Sequence, residues 1–588
     1  MPTPSSIRLR LAMFAAVRAC VLFCALILLP SASFADEPAV RYDLVLRNGR
    51  VVDGTGNPWI AADVGILGDR IHRIGRIPAG IAKREIDVKG LVVAPGFIDM
   101  HSHSDYVLLQ DGRAESKIRQ GVTTEVFGEG TSAGPGGAAK AAPGDANNDV
   151  IGGGRSYRRY ATLGDYFRTV EKAQVSVNVC SYVGIDNIWQ AVMGTSHARP
   201  TPEQLAAMQK LVREAMEDGA LGLSTMMAMP PGSLATTDDL IALCTPVAEF
   251  GGIYSSHIRN EGTGVFDAVK EAIAVGERAG VRVDIIHLKI ADQKYWRRMN
   301  EIVKLIEDAR ARGVDVQANV YPYTRGNNDL VSIVPPWAHE GGKEKLLARL
   351  KDDGEREKMK RDIRGGIDGW YNHFTAVGGD WSRMLVSGNC PYAGLTMDRV
   401  LALRGAKQRD GDSAGAPAKR DELDMLFDLL IEQQGSVPTV YAHHTEEDMN
   451  LALSQPWCSI GSDGSALAIE GPLRTGNPHP RNFGTFPRVL GVYVRERNVL
   501  RLEDAVRKMT SLNAAKIGLS DRGVLRPSAA ADITVFDPAK VIDNATYTEP
   551  FAYGDGIELV IVNGQVVLER GKHTGAKPGK MLRHGAAN

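Results

Sequence analysis

His101 and His103 stand two residues apart in GFIDMHSHSD, at the end of an apolar run. Side chains along a strand alternate between faces, so this spacing puts both imidazoles on one side, able to share a metal ion. An HxH pair can equally be hydrogen-bonded inside a core, and the rest of the chain bears on which it is. His257 in IYSSHIRNEG, His287 in VDIIHLK and Asp463 in CSIGSDGS each follow a short β-type run of their own. Imidazole nitrogen and carboxylate oxygen are zinc ligands, bound at about 2.0 to 2.2 Å, and a catalytic site keeps one position for water. The set is sufficient for one or two Zn2+ ions. Two ions need a bridging anion, and LGLSTMMAMPP on the expected fourth strand offers no lysine to become one by carboxylation. Glu129, at the end of VTTEVFGEG on the expected second strand, is the nearest acidic candidate for the bridge. A one-metal site using mainly His257 and His287 is the alternative.

Asp463 is the candidate base. Zinc lowers the pKa of water from 15.7 to roughly 7, and a carboxylate beside the ion can take that proton and pass it to a leaving nitrogen, which is amide hydrolysis. SDG is also good turn chemistry, so the aspartate gains its meaning from its place after the last strand. Lys289 lies two residues beyond His287 and shares its face; with Tyr321 of VYPYT it could hold a substrate carboxylate, as cation and phenol donor. Arg259, Arg325, Arg474 and Arg481 are further cations on neighbouring loops, and His443 and His444 in TVYAHHTEEDM could orient the site without binding metal.

These residues need elements to position them. From about 95 to 515 short apolar runs alternate with helical patterns, for example TPEQLAAMQKLVREAMEDG, whose Pro202 opens a helix and whose Gly219 closes it. Strand-helix alternation predicts a parallel sheet, and about eight units predict a closed (β/α)8 TIM-like barrel, an α/β fold with its chemistry at the strand ends. Residues 41 to 94 alternate like strands, with Asn48-Gly49 and Gly68-Asp69 as turn signals. ADITVFDP and ELVIVNGQVVLERG near the other end repeat the style, so residues 36–94 and 516–588 are expected to form one small β domain around a barrel over 95–515. A charged, helix-rich stretch at about 335–438 is too long for a loop and reads as an inserted helical subdomain beside the barrel mouth. GEGTSAGPGGAAKAAPGDANNDVIGGGRS lacks the GK[ST] of a phosphate loop, so it gives a nucleotide site little support.

With 588 residues, 44% hydrophobic and 24% charged, the chain is globular and exceeds one ordinary domain. A net charge of -1 gives no pull toward nucleic acid or an anionic membrane and suits a small-molecule partner; the oligomeric state is not legible. Arg8 and Arg10, an apolar run from about Ala19 to Leu29, and Ser33-Phe34-Ala35 before Asp36 read as a signal peptide over 1–35, cleaved near Ala35, for a periplasmic or secreted protein. The apolar run is too short for a stable membrane span. Cys180, Cys244, Cys390 and Cys458 are too scattered for a disulfide scaffold or a cysteine zinc site, though one or two bridges would fit an oxidising compartment.

Taken together, GFIDMHSHSD, SHIRNEG, IIHLK, YPYT, GSDG and HPRNFGTFPRVLG resemble the N-acyl-D-amino-acid deacylase (D-aminoacylase) family of the amidohydrolase superfamily, over nearly the whole mature chain. The resemblance implies a zinc-dependent barrel that deacylates N-acyl-D-amino acids, with relatives that cleave dipeptides bearing a C-terminal D-residue. It makes His101, His103, His257 and His287 metal ligands, Asp463 base and ligand, and Lys289 and Tyr321 the grip on the α-carboxylate. Many members carry a cysteine in a GNCG turn where this chain reads GEGT, with Gly130 at the cysteine position, which makes Glu129 the substitute. Arg325 stands where a small residue is commoner. Preference for D-substrates rests on the resemblance alone. A cyclic amide or imide hydrolase of the hydantoinase or dihydroorotase kind, and a non-catalytic metal-binding module, are the competing readings.

Overall fold

The computed structural model of the protein describes residues 41–136, 160–409 and 421–585. The leader read over 1–35 and most of the Gly/Ala-rich stretch lie outside the described residues. No described helix is long and apolar enough to cross a membrane.

Parallel strands alternating with helices form the body of the molecule. Phe97–Asp99, Val122–Phe127 and Asn178–Ser181 pair in order, and the third strand resumes at Val183–Gly184 to start the run Gly222–Met226, Ile253–His257, Arg282–Ile285, Val316–Val320, Cys458–Ile460. A parallel bridge between Ser102 and Gly464 joins the first strand's end to the last and closes the ring. This is the expected (β/α)8 barrel. Its helices are laid down by local signals: in Pro202–Asp218 the Thr201 side chain caps the Gln204 N–H, Gln204 returns the bond, and Gly219 at φ 104 ends the helix. Met208, Val212, Ala215 and Met216, at helical spacing, are its buried face.

A nine-stranded sheet draws on both ends of the described chain. Val92–Pro95 pairs antiparallel with Ile533–Phe536, with Val93 opposite Val535, so the two sequence-distant segments share one core of Leu46, Val64, Ile66, Ile533 and Ile561. Gly68-Asp69 and Asn563-Gly564 turn the hairpins Ile60–Leu67/Arg70–Gly75 and Ile557–Val562/Gln565–Glu569. Asn48-Gly49 does not turn the chain. It lies inside the strand Tyr42–Val51 as a bulge where the register shifts, and a Cβ on Gly49 would stand 2.6 Å from Val93 Cγ2.

The excursion between the last two barrel strands is wider than 335–438. It begins with Gly326–Asp329 and includes Pro438–Tyr441, which with Met384–Val386 make an antiparallel sheet beside the helices. Leu330, Ile333, Met359, Ile363, Leu426 and Leu430 form a core of its own. The run containing His443 and His444 therefore belongs to this insertion. Cys180, Cys244, Cys390 and Cys458 are free thiols.

Candidate metal centre

The (β/α)8 topology carries each candidate residue to the same end of the barrel. His101 and His103 follow the first strand, Glu129 the second, His257 ends the fifth, and His287, Tyr321 and Asp463 follow the sixth, seventh and eighth. Asp463 takes a left-handed φ of 53, which Asp tolerates, and its N–H donates to the His101 carbonyl at 2.8 Å, pinning the last loop to the first. His287 has φ 36, an uncommon conformation for a residue with a Cβ, and its N–H is held by Asn319 Oδ1 at 3.0 Å.

The side chains converge on two carboxylates. His101 Nε2 lies 2.7 Å from Glu129 Oε2, and His103 Nε2 lies 3.1 Å from that oxygen and 3.0 Å from Asp463 Oδ1. His287 Nε2 is 3.5 Å from Glu129 Oε1 and 3.9 Å from Asp463 Oδ2. His257 stands edge-on to His287, ring centroids 4.6 Å apart. Two sets of donors result, His101/His103/Glu129/Asp463 and Glu129/His257/His287, each with its ligand atoms within 4.8 Å of one another. Glu129 belongs to both.

Electrostatics fit a cation here. The His103 side chain is 41% exposed; partial desolvation opposes its charge, yet its hydrogen bonds to Asp463 and Glu129 push the imidazole up to about 10. Burial and Lys289 oppose a charge on His287, yet Glu261 and Glu129 push it up to about 9. Burial would neutralise both carboxylates, but the imidazoles hold Glu129, and Arg481 and the imidazoles hold Asp463, well below the usual carboxylate range. Ring protons thus balance the two carboxylates, and divalent ions on the ring nitrogens would displace those protons. Nitrogen and carboxylate donors in two small groups that share Glu129 suit a divalent ion. Gly130 cannot contribute: at φ +58, a Cβ there would come within 2.4 Å of Met226 Cβ.

The other candidates occupy different places. Lys289 Nζ donates to Glu261 and to the His287 carbonyl at 3.0 Å and lies 2.8 Å from His287 Nδ1, which places it behind His287. It lies 5.8 Å from the Tyr321 ring centroid. Tyr321 is buried with an unpaired hydroxyl, its ring under the Arg481 guanidinium at 4.9 Å. Arg481 donates to Asp463 Oδ1 at 2.9 Å and pairs with Oδ2 at 2.7 Å, a partnership the sequence reading did not single out. Arg259 is engaged with Glu271, and Arg474 lies over Phe551. Arg325 lies 4.5 Å over Tyr547 with no carboxylate partner among the described residues. His443 and His444 face each other through Nδ1 at 3.0 Å, outside both donor sets.

Glu261 and the Asp99–Lys117 pair are further residues that spacing did not reveal. Glu261, four residues after His257, looks in sequence like any loop carboxylate. Only the fold brings it to His287 Nδ1, at 3.0 Å.

Residues 84–323 and 441–568 match the model of the amidohydrolase family, leaving out most of the insertion. The chain is 36% identical to a D-aminoacylase of Alcaligenes xylosoxydans xylosoxydans over 549 residues, 93% of this chain and 98% of that one. It is 34% identical to an N-acyl-D-glutamate deacylase of the same organism, again over 93% and 98% of the two chains. The crystal structure of N-acyl-D-glutamate deacylase from Bordetella bronchiseptica, complexed with zinc and a phosphonate inhibitor that mimics the reaction's tetrahedral intermediate, superposes with a TM-score of 0.76 at 30% identity, covering 92% of this chain and all of that one. A D-aminoacylase structure described for its binuclear metal centre gives 0.73 at 34% identity, with the same coverage. An L-hydantoinase at 17% identity and TM-score 0.52 shares the fold. The chain belongs to the amidohydrolase family, within its N-acyl-D-amino-acid deacylase branch, and is a hydrolase of amide C–N bonds.

Proposed function

We propose that the protein is an exported zinc-dependent deacylase of N-acyl-D-amino acids or of dipeptides with a C-terminal D-residue. The observation that carries this reading is the pair of donor sets joined through Glu129, with Asp463 beside them and Arg481 behind it. His101, His103, Glu129, His257, His287 and Asp463 would hold one or two zinc ions. A bound divalent ion supplies Lewis acidity and brings a proton of water within reach of a weak base at neutral pH.

The chain's own groups do the rest. Asp463, held ionised by Arg481, accepts a proton from the attacking water and delivers it to the amide nitrogen, so the C–N bond breaks to give a carboxylate and an amine. A carboxylate depressed this far is a poor base toward bulk water, which explains the need for a cation beside it. The unpaired Tyr321 hydroxyl offers a hydrogen bond to substrate, and Arg325 is a cation free of carboxylate partners among the described residues, suited to meet a substrate carboxylate. Lys289, tied to Glu261 and the His287 carbonyl, has one hydrogen left for such a contact when His287 Nδ1 carries the ring hydrogen.

Support for the linear substrate comes from deacylase relatives above 30% identity, against hydantoinases that share the fold alone. Rates with N-acetyl-D-amino acids, N-acetyl-L-amino acids and a hydantoin, measured on zinc-reconstituted enzyme, test the reading. Turnover of the D-series alone is expected; equal D and L rates would remove the stereochemistry, and hydantoin turnover alone would reverse the substrate class. Export, read from residues 1–35, predicts a mature protein starting at Asp36 in the periplasm or medium. N-terminal sequencing of the native protein checks it.

A further inference from the structure

We infer that Glu261 is a positioning residue: with Lys289 as counter-ion, it fixes the tautomer of His287 and keeps Nε2 open toward the space bounded by Glu129 and Asp463. The inference rests on the metal-binding reading above. Glu261 is 4% exposed, on the loop after the fifth strand, and reaches across to the residue that follows the sixth. Its Oε1 stands 3.0 Å from His287 Nδ1, touches Lys289 Nζ, and lies 4.0 Å from His257 Nε2.

A neutral imidazole has one ring hydrogen. A nitrogen that lends its lone pair to an ion cannot carry it, so with Nε2 facing the donor set the hydrogen belongs on Nδ1, where it needs an acceptor. Two groups stand at Nδ1. The Glu261 carboxylate can accept; the Lys289 ammonium, 2.8 Å away, can only donate. Left to itself Lys289 would donate to Nδ1, moving the ring hydrogen to Nε2 and closing that nitrogen to a metal. Glu261 decides the contest twice over, accepting from Nδ1–H and drawing the ammonium onto its own oxygen. The backbone leaves little freedom to escape, because His287 N–H is tied to Asn319 Oδ1 and the Glu261 carbonyl accepts from Ala291 N–H at 2.7 Å. The other ligating rings are served differently: His257 Nδ1 has the carbonyl of Ile258 at 3.1 Å, and His101 Nδ1 has no partner. Unlike these two, His287 Nδ1 faces a carboxylate from another loop.

The test is zinc retention by the purified holoenzyme against a chromophoric chelator, with kcat and KM at saturating zinc. Glu261→Gln can still accept from Nδ1–H but leaves Lys289 unneutralised, and is expected to weaken one ion tenfold to a hundredfold while the other holds. Adding Lys289→Met removes the competing donor and both buried charges together, which favours folding over either single change. The double variant should regain at least half of the lost affinity on a logarithmic scale, which a merely structural role would not predict. Wild-type affinity for both ions in Glu261→Gln overturns the inference, as does a double variant no better than the single. His287→Gln is the control. If it weakens zinc while Glu261→Gln does not, the positioning role alone falls; if it too leaves zinc untouched, the metal centre itself falls.

Discussion

Replacing Lys117 by Met should unsettle the whole site without touching a candidate ligand. Lys117 and Asp99 are both 0% exposed. The ammonium donates to Asp99 Oδ2 at 2.6 Å, Ser462 Oγ at 2.8 Å and the Gly464 carbonyl at 2.9 Å. Asp99 in turn accepts from the His101 N–H at 3.3 Å and the Ser462 N–H at 2.7 Å. Lys117, paired with Asp99 and lying 3.5 Å from the equally buried Glu125 Oε2, thus holds the loops carrying His101, His103 and Asp463. Methionine fills similar volume but takes the cation from both Asp99 and Glu125 in a dry interior, a loss of about 3 to 5 kcal/mol, or roughly three orders of magnitude in the folding equilibrium. The urea midpoint at constant slope reads it, with zinc affinity measured alongside. Lys117→Met combined with Asp99→Asn should recover more than half of the loss, since the side-chain amide oxygen still accepts from both N–H groups without carrying charge. A single variant within about 1 kcal/mol of the parent, with unchanged zinc affinity, would refute the claim that this pair sets the site.

Asp463→Asn should lower kcat by about a hundredfold or more, the range for a lost general base, with a smaller effect on total zinc content; kinetics beside metal analysis check it. Gly130→Ala places a Cβ 2.4 Å from Met226 Cβ at φ +58, and should destabilise by more than about 1 to 2 kcal/mol in urea unfolding. Arg325→Met should raise KM about tenfold for N-acyl-amino acids with kcat nearly unchanged, read from saturation curves. His373, 2% exposed, receives the Asn328 amide on Nε2 at 3.0 Å, and burial holds it down at about 3 from an ordinary 6.5. Below pH 6.5 the unfolded chain takes up a proton that the folded ring refuses, so stability falls as pH drops and is unaffected above 6.5; the share of this one ring is about 2 kcal/mol by pH 5. Thermal melts of His373→Gln should show a shallower acid slope.

The chemistry of the site was legible wherever it depends on position at or just past a strand end. HSH, and single histidines or an aspartate closing apolar runs, point at one end of a barrel because a parallel α/β unit returns every strand in the same direction; the first strand ends at Asp99, so the loop after it, and not strand pleating, sets His101 and His103 side by side. Asn48-Gly49 misled because the same dipeptide serves a hairpin and a bulge, and the choice is made by Val93, which packs where a Gly49 Cβ would sit. The insertion's first strand, GNND, was unreadable because it has no apolar alternation of its own. Lys289 reaches His287 across a turn beyond the strand Arg282–Ile285, where strand spacing no longer applies, and its partner is Glu261, from another loop.

The sequence alone determined the alternating architecture, the helix caps, the hairpin at Asn563-Gly564 and the identity of the nitrogen and carboxylate donors, since each is set by residues within a few positions of one another. Only the tertiary structure decided that Glu129 joins both donor sets, that Arg481 backs Asp463, and that Glu261 and Lys289 stand behind His287. Buried charges choose partners by distance in space, and that distance is set by barrel closure between strands hundreds of residues apart.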